Sequence, residues 1–477
     1  MVYFDNAATT PVPKAVADAM YEVLTAHFGN PSSQYPIGVE MKKAVEGWRA
    51  VIAGALGCPA ERLYFTSCGT ESDNWAIQAA LWQNRHRGRH IITTAVEHSA
   101  VLEPCKLLAQ QGYEVTYLKP GRDGNVTAEQ VADALREDTA LVSVMLVNNE
   151  TGCVFPAADI AALLREKGSP ALLHCDAVQG FLKVPCDPEG WGVDLMSLSG
   201  HKVGGPKGVG ALYIGPRVRN PRPLLPGGGQ ERGARSGTEA TAQIAGFAKA
   251  VELRLEGYEE KLAHMAQLKQ YALEQLLTID GVVRIGNGDA PHILSVSLVG
   301  YPSANVVTEL GAQGICISAG SACHRGKLSH VYAAMKLDKR TAAGVLRAPK
   351  GGKERKIKPL GPMRCVSSTG YEILIGRSNA QNDELTLKTA RGRDVWFHVK
   401  NAPGSHAVVL SGGQPVPDTT KTEAAVLAAV HSSQNGGAKV QVEYTSLPPA
   451  FSSCAAVSRM ADCVANNSAW RAGSSFL

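Results

Sequence analysis

The 477-residue chain lacks the features that mark several other classes of protein. It contains no run of about 18 apolar residues, the length that a membrane-spanning helix needs. Its first residues, Met1–Asp5, lack the basic and apolar regions of a signal peptide. The 11 cysteines are an odd number and show neither CxxC pairs nor zinc-binding spacings, so we expect most of them to be reduced. These absences predict a cytoplasmic protein with no membrane span.

Length and charge both indicate more than one domain. The chain is longer than a single hydrophobic core usually supports. Residues 348–477 hold 15 Lys and Arg against 9 Asp and Glu, a net charge of +6. Residues 1–347 hold 33 against 34, a net charge of −1. All of the excess positive charge therefore lies in the C-terminal quarter, where it bears on the choice of partner.

Short apolar runs alternate with amphipathic helical stretches from residue 63 to residue 214. The predicted strands are Leu63–Thr66, His90–Thr94, Glu114–Leu118, Leu141–Val147, Ala171–Asp176, Val193–Leu198 and Gly210–Ile214. The predicted helices between them are Ser72–Trp82, Ala100–Gln111, Ala128–Arg136 and Ala157–Lys167. This alternation predicts an α/β fold with a mostly parallel central sheet, covered by helices on both faces.

The rest of the chain divides by composition and pattern. A long helical pattern over Ala240–Leu277, followed by shorter segments, predicts a smaller α+β domain. We expect a large domain with an N-terminal arm over residues 1–238 and a small domain over 239–347. Residues 348–363, rich in Pro, Gly and basic side chains, are typical of a linker. Residues 364–446 predict an α+β module, and we expect 447–477 to be disordered.

Two strand ends carry side chains suited to an aldehyde cofactor. Lys202 follows one buried strand and could form an imine. Asp176 ends another strand and could pair with the protonated ring nitrogen of pyridoxal phosphate (PLP). Taken alone, a lysine in this position is more often a solvated charge at a strand end, and its weight comes from the residues around it.

Polar residues near these strand ends could complete a site. In Phe65–Ser72 a strand and a turn of small residues lead into a helix, whose N-terminal N–H groups could bind phosphate; an ordinary capped helix is the alternative. Ser199 and His201 could add donors to the phosphate. His98 closes a further strand and could stack on a ring and move protons, or serve as a structural donor. Asn148–Gly152 ends another strand and offers amide groups to the same crevice.

A cysteine in a segment of small residues is a candidate nucleophile. Cys323 lies within Ser318–Gly326, beside His324 and Arg325. An accessible cysteine next to basic groups could be a reactive thiolate, and a buried structural cysteine is the alternative.

Together these residues resemble the NifS/IscS-type cysteine desulfurases of the class V PLP aminotransferase superfamily over residues 1–347. The resemblance rests on an ordered set of motifs: Tyr3–Pro11, Asn30–Ser33, Gly69–Glu71, Glu97–His98, Asn148–Glu150, Asp176–Gln179, Ser199–Lys202, Gly228–Arg232, Arg235–Thr238 and Ser321–Cys323. It implies the PLP-dependent transferase fold of type I. It also implies a homodimer that acts on L-cysteine.

The resemblance implies a role for each matching residue. Lys202 would be the Schiff-base lysine, Asp176 the partner of the ring nitrogen and Gln179 the partner of the phenolic oxygen. His98 would stack on the ring and relay protons. The implied phosphate ligands are Gly69, Thr70, Ser199, His201 and, from the neighbouring subunit, Thr238.

The resemblance also implies the substrate contacts and the product. Asn149 would lie against the cofactor and, with Arg347, bind the carboxylate of cysteine. Cys323 would accept the sulfur as a persulfide and leave L-alanine. A sulfur-acceptor protein, either an iron–sulfur scaffold or a tRNA-thiolation partner, would receive the sulfur.

The C-terminal segment resembles the RNA-binding (R) domain of NFACT proteins over residues 364–446. The matching motifs are Ile375–Thr386, Asp394–Val399 and Pro403–His406. This resemblance implies contact with RNA on a ribosomal particle. A basic, aromatic surface could be formed by Arg377, Lys388, Arg391, Arg393, Lys400, Trp396 and Phe397. The alternative is a solvated basic face with both aromatic side chains in the core.

The chain departs from the desulfurase pattern after Arg347, where the family continues its small domain and this chain enters the basic linker. A joined or shifted reading frame and a natural fusion are the two explanations. The leading hypothesis is a PLP-dependent cysteine desulfurase, a sulfurtransferase. The alternatives are an RNA- or ribosome-binding protein with an inactive desulfurase-like part, and another class V enzyme such as a selenocysteine lyase or an aminotransferase.

Overall fold

The computed structural model of the chain describes residues 1–319, 329–347, 362–376, 379–391, 394–400, 405–432 and 440–446. These residues group into two compact units, one before and one after the gap at residues 348–361. Within the described ranges, no helix is both long enough and apolar enough to span a bilayer.

The first unit is built on a seven-stranded central sheet. The strands of the whole unit, in chain order, are β1 (Val2–Tyr3), β2 (Leu63–Thr66), β3 (His90–Thr94), β4 (Glu114–Leu118), β5 (Thr139–Met145), β6 (Leu172–Asp176), β7 (Leu195–Ser199), β8 (Gly210–Ile214), β9 (Val282–Arg284), β10 (Ser295–Leu298), β11 (Ile315–Cys316) and β12 (Val345–Arg347). The central sheet has the order β2-β8-β7-β6-β5-β3-β4. Strand β8 is antiparallel to both neighbours, and the other pairs are parallel. The predicted mostly parallel sheet is confirmed.

Helices cover both faces of this sheet. They are α1 (Lys14–Thr25), α2 (Pro36–Leu56), α3 (Gly69–Gln83), α4 (Ser99–Gln110), α5 (Ala128–Ala134), α6 (Ala157–Glu166), α7 (Pro188–Trp191), α8 (Thr241–Leu255), α9 (Tyr258–Leu277), α10 (Ser303–Ala312), α11 (His330–Ala334) and α12 (Lys339–Ala343). Every residue of β3, β5, β6, β7 and β8 is buried. Because side chains alternate between the faces of a sheet, this burial requires cover on both sides.

Large side chains fill the layers between sheet and helices. Trp75 of α3 and Phe247 of α8 have no exposed surface, and Phe247 packs edge-to-face on Phe181 at a centroid distance of 6.4 Å. Burying a phenylalanine side chain contributes about 1.5–3 kcal/mol to stability. Burial of these side chains therefore stabilises the packing of α3 and α8, the two helices that extend towards the site described below.

The predicted single helix over Ala240–Leu277 is wrong, because α8 and α9 are separate helices. Gly257 lies between them with a φ of 57°, in the left-handed region that a glycine enters without steric cost. Helices α1 and α2, which sequence analysis did not single out, pack on α8.

The N-terminal segment connects the small sheets to the central seven-stranded sheet. Strands β12, β10 and β9 form an antiparallel sheet, and β1 pairs in parallel with β11. The far end of this segment is fixed by Thr10, whose N–H and hydroxyl both donate to the carbonyl of His201, at 3.0 and 2.8 Å. Residues 1–10, called the N-terminal arm from here on, therefore cross the space between the two sheets.

The second unit is an α+β unit, as predicted. Its five-stranded antiparallel sheet has the order β13-β14-β16-β15-β17. The elements are β13 (Met363–Val366), β14 (Glu372–Ile375), α13 (Asn379–Glu384), a π-helical turn (Leu385–Thr389), β15 (Val395–Val399), β16 (Ala407–Leu410), α14 (Asp418–Val430) and β17 (Val442–Ser446).

The aromatic side chains of β15 lie on opposite faces of this sheet. Phe397 is fully buried among apolar residues, and its ring stacks on Tyr444 at 5.4 Å. Trp396 is partly buried and packs with Leu385 and Val408. The suggestion that Phe397 contributes to an aromatic surface is therefore wrong, because the strand's alternation turns it into the core.

Candidate active site

The candidate site lies where the carboxyl ends of β6 and β7 meet the N-terminal arm. Asp176 is the last residue of β6 and pairs in register with Ser197 of β7. Lys202 ends the 3-10 turn Gly200–Lys202, which directly follows β7. Because the two strands are parallel neighbours, the structure brings Asp176 and Lys202 to the same edge of the sheet.

The amine of Lys202 is held by the arm. Its Nζ donates to the carbonyl oxygens of Ala7 at 2.6 Å and of Ala8 at 2.8 Å. Hydrogen bonds to a charged donor are stronger than neutral ones, so these contacts fix the position of the lysine and of the arm together.

Asp176 is buried and close to other ionisable groups. Its Oδ1 accepts a hydrogen bond from the N–H of Val178 at 2.9 Å, and burial together with the carboxyl of Asp73 raises the pKa of Asp176 to about 7. A cation beside such a carboxyl would favour its ionised form. Asp176 is therefore suited to hold a protonated ring nitrogen.

His98 precedes α4 and caps it. Its Nδ1 accepts a hydrogen bond from the N–H of Ala100 at 3.2 Å, so the neutral ring carries its proton on Nε2. The loss of hydration lowers the pKa of His98; the charge of Asp176 opposes this shift, and that of Lys202 adds to it. His98 therefore interacts electrostatically with both Asp176 and Lys202, and its lowered pKa favours the neutral ring.

The side chain of Gln179 contacts the N-terminal arm. Its Nε2 donates to the carbonyl of Ala7 at 2.7 Å, and its Oε1 accepts from Nζ of Lys183 at 3.2 Å. Lys183 is buried, and burial lowers its pKa well below the ordinary value, with the charges of Lys202 and Arg254 adding to the shift. The carbonyl of Ala7 can only accept, so the amide nitrogen of Gln179 faces the arm, and its oxygen is left to accept from Lys183.

The helix N-terminus predicted to bind phosphate meets both strand ends. Gly69 is the first residue of α3, and a Cβ atom there would lie 2.7 Å from Cγ2 of Val178 and 3.6 Å from Cβ of Ser199. The neighbouring Thr70 is exposed. Glycine at position 69 therefore lets α3 approach Val178 closely, and the N–H groups of the first turn of α3 attract anions.

His201 and Thr238 are the remaining predicted phosphate ligands. Nδ1 of His201 is 3.1 Å from the hydroxyl of Thr9, and burial first, then the charge of Lys202, lowers the pKa of His201 to about 4. Thr238 is exposed, in a loop joined to α3 by the ion pair of Arg235 with Glu71 at 2.8 Å. The predicted contact of Thr238 with a neighbouring subunit stays a prediction.

Arg347 ends β12 and reaches both the arm and the loop after β5. Its Nη1 donates to the carbonyl of Asn149 at 2.7 Å, and its Nη2 donates to Oδ1 of Asp5 at 2.6 Å and to the hydroxyl of Ser318 at 3.2 Å. The structure therefore brings Asn149 and Arg347 together. It also adds Asp5, which sequence analysis did not identify as a site residue.

Some predicted residues lie outside the described part of the chain. These are Cys323, His324, Arg325, Arg377, Arg393, Pro403 and Gly404. Sequence analysis also missed Lys183, although a lysine between Leu182 and Val184, in an otherwise apolar stretch, was a signal that could have been followed. For Asp5 no comparable local signal existed, because its partner is 342 residues away.

Comparison with known families gives two matches. Residues 2–349 match the aminotransferase class-V family, and residues 362–448 match the NFACT protein RNA binding domain. The chain is 42% identical over 354 residues to the cysteine desulfurase IscS of Methanosarcina thermophila, covering 73% of this chain and 87% of that protein. It is also 42% identical to the putative cysteine desulfurase IscS 1 of Bacillus subtilis (strain 168), covering 70% of this chain and 89% of that protein.

Solved structures share the fold of the first unit. A NifS-like protein aligns with a TM-score of 0.69 and 38% identity, over 73% of this chain and 93% of its own. The structure titled SspA in complex with cysteine aligns with a TM-score of 0.64 and 34% identity, over 73% of this chain and 98% of its own.

Proposed function

Since the chain belongs to the aminotransferase class-V family, we propose that it is a PLP-dependent cysteine desulfurase, which takes sulfur from L-cysteine and leaves L-alanine. The observation that carries the proposal is the placement of Asp176 and Lys202 at the carboxyl ends of neighbouring parallel strands, with His98 interacting electrostatically with both. Relatives of this chain are named cysteine desulfurases, which favours this reaction over a selenocysteine lyase or an aminotransferase.

The residues present fit PLP. A lysine amine, a buried carboxyl and a helix N-terminus free of a Cβ atom meet at one edge of the sheet. In this proposal Lys202 would hold the aldehyde, Asp176 the ring nitrogen and Gln179 the phenolic oxygen. The phosphate would be held by Gly69, Thr70, Ser199, His201 and Thr238 of a second subunit. When bound, PLP supplies an electron sink for the carbanion that forms at the substrate's α-carbon.

The chain's own residues orient the substrate and move protons. Arg347 and Asn149 would bind the substrate carboxylate, because a planar guanidinium grips a carboxylate through two parallel hydrogen bonds. Neutral His98 can accept a proton at physiological pH and return it, which suits a group that relays protons.

Cys323 would take the sulfur. Its thiolate would form a bond to the substrate sulfur as the Cβ–S bond breaks, and the electron pair of that bond would remain on the substrate carbon. A proton then completes the methyl group of L-alanine, and Cys323 carries a persulfide. An acceptor protein of an iron–sulfur or tRNA-thiolation pathway would remove the sulfur, and the working form would be a homodimer.

Three variants test the proposed reaction. Purified protein supplied with PLP should show the visible band of the lysine imine and, with an added thiol to reduce the persulfide, release L-alanine and sulfide from L-cysteine. Lys202→Ala should lose the band and both products, whereas Lys167→Ala, an exposed lysine after α6, should keep them. Cys323→Ser should keep the band and lose sulfide release; an aminotransferase would retain its activity. A folded, PLP-supplemented protein with no visible band would contradict the proposal.

The second unit supports a second candidate function, contact with RNA. Its match to an RNA binding domain and the net charge of +6 over residues 348–477 favour a polyanionic partner. Lys388 and Arg391 are exposed at the edge of this unit. In the full chain, Lys388→Glu and Arg391→Glu together should weaken RNA binding and flatten its salt dependence, whereas Lys167→Glu in the first unit should not. If the unaltered chain, the double variant and Lys167→Glu all bound RNA equally, this function would be contradicted.

A further inference from the structure

The arginine proposed to bind the substrate carboxylate already holds a carboxylate of its own chain. Oδ1 of Asp5 lies 2.6 Å from Nη2 of Arg347, and Oδ2 of Asp5 accepts from the hydroxyl of Ser318. The side chains of Asp5 and Arg347 are only 17% and 7% exposed. A pair so little exposed is poorly screened by solvent, so it holds more strongly than a surface ion pair.

The donors of Arg347 leave no complete edge for a second carboxylate. A guanidinium grips a carboxylate bidentately either through Nη1 and Nη2 or through Nε and Nη2, so both modes use Nη2. Nη2 has two hydrogens, and it donates to both Asp5 and Ser318. Nε is buried and finds no acceptor within the described ranges. A substrate carboxylate can therefore take a bidentate position only after Asp5 or Ser318 has moved.

The same arm also occupies the other end of the site. Ala7 and Ala8 supply the two carbonyls that accept from Lys202. The hydroxyl of Tyr3 lies within hydrogen-bond distance of the carbonyls of Asp5, at 3.0 Å, and of Thr9, at 2.9 Å, which makes the arm a compact loop. Displacing Asp5 from Arg347 would therefore disturb the segment that holds the lysine.

We propose that Asp5 is an internal competitor of the substrate carboxylate for Arg347, and that it sets the affinity of the site for amino acids. The inference rests on the proposed function, because it takes Arg347 as the residue that binds the substrate carboxylate. It predicts selectivity: a ligand with a free α-carboxylate displaces the arm, and an amine without one leaves the arm in place.

L-alanine is a suitable probe, because its binding needs neither Cys323 nor sulfur chemistry. In calorimetric titrations of the PLP-loaded protein, Asp5→Asn should bind L-alanine about tenfold more tightly than the unaltered chain, the effect of removing one charge-assisted hydrogen bond. L-alaninamide should bind both proteins equally. Asp18→Asn, an exposed aspartate paired with Lys14, is the matched control and should match the unaltered chain.

Hydrogen exchange in the unaltered chain gives an independent reading if Asp5→Asn is less stable. Exchange of the amides of residues 2–10 should speed up with L-alanine and stay unchanged with L-alaninamide. The inference is overturned if Asp5→Asn binds L-alanine equally or more weakly, if neither protein binds it, or if the arm's exchange does not respond. Asp5-dependent binding of L-alanine without sulfide release would support the inference and reject only the proposed desulfurase activity.

Discussion

Nζ of Lys183 donates to Oε1 of Gln179 across 3.2 Å, and this contact turns the amide nitrogen of Gln179 towards the carbonyl of Ala7. A glutamine side chain can present either oxygen or nitrogen; the carbonyl of Ala7, which can only accept, selects the nitrogen, and the N–H donor of Lys183 supports the same orientation at the oxygen. Lys183 is thus a positioning residue that prepares Gln179 to donate into the candidate site.

Replacing Lys183 by methionine should loosen this orientation. Lys183→Met keeps the length of the side chain but removes the donor, so the Gln179 amide is held only through the carbonyl of Ala7. We expect a severalfold weaker affinity for PLP and a shifted pH titration of the visible band. Lys119→Met, an exposed lysine after β4, should change neither property. An unaltered titration in Lys183→Met would show that the amide is oriented by other contacts.

The same variant should be more stable than the unaltered chain near neutral pH. Burial lowers the pKa of Lys183, so the unfolded chain binds a proton that the folded chain does not, and the stability of the unaltered protein rises with pH. Lys183→Met should gain about 1 kcal/mol or more at pH 7, and this advantage should shrink as pH approaches the ordinary lysine pKa of about 10.4. Urea unfolding at pH 7 and pH 10 measures it.

Asp176 should make the protein without PLP less stable as pH rises. Its pKa is raised to about 7 from 3.8, chiefly by burial, so the folded chain keeps a proton that the unfolded chain has lost. The free energy of unfolding therefore falls as pH rises from about 4 to about 7. Asp176→Asn should be more stable than the unaltered chain at pH 8, by about 2–4 kcal/mol, and equal to it at pH 4.

Urea unfolding of the PLP-free proteins at both pH values measures this difference. Asp133→Asn, an exposed aspartate on α5, serves as the control and should differ from the unaltered chain at neither pH. If the difference in free energy of unfolding between Asp176→Asn and the unaltered chain were the same at pH 4 and pH 8, titration of Asp176 could not be its cause.

The ion pair of Arg49 with Glu231 joins α2 to the glycine-rich loop before α8. Nη1 and Nη2 of Arg49 donate to the two carboxylate oxygens at 2.7 and 2.9 Å, and both side chains are 3% exposed. Glu231→Gln removes the buried counter-charge of Arg49 and leaves the half-exposed carboxyl of Glu46 as its remaining partner, so it should lower the free energy of unfolding by about 1–3 kcal/mol. Glu103→Gln, which removes an exposed pair with Lys106, should cost less than about 1 kcal/mol in the same urea titration.

Gly69 and Val178 should be coupled. Gly69→Ala places a Cβ atom 2.7 Å from Cγ2 of Val178, so one of the two backbones must shift. We expect a loss of about 1–3 kcal/mol in stability and weaker PLP binding. Adding Val178→Ala removes the clashing methyl groups and should restore most of both losses. A double variant as impaired as Gly69→Ala alone would show that the clash is not with this side chain.

The predicted strands agree best with the structure where apolar runs are continuous and bounded by turn residues. Leu63–Thr66, His90–Thr94, Glu114–Leu118 and Gly210–Ile214 have the predicted bounds, because turn-forming residues lie close to both ends of these runs. The long helical pattern from residue 240 was misread, since periodicity continues on both sides of Gly257 while the backbone turns there. Phe397 shows a similar limit, because its sequence neighbours do not reveal which face of β15 is covered.

By itself, the sequence determined the alternation of strands and helices, and with it the set of polar residues that end the strands. These depend on local spacing, which hydrophobic burial turns directly into secondary structure. Only the tertiary structure decided that Asp5 meets Arg347 and that Lys183 orients Gln179. The N-terminal arm is positioned by the pairing of β1 with β11. The buried charged and hydrogen-bonding groups are brought together when the helices pack on the sheet. Neither leaves a periodic trace in the chain.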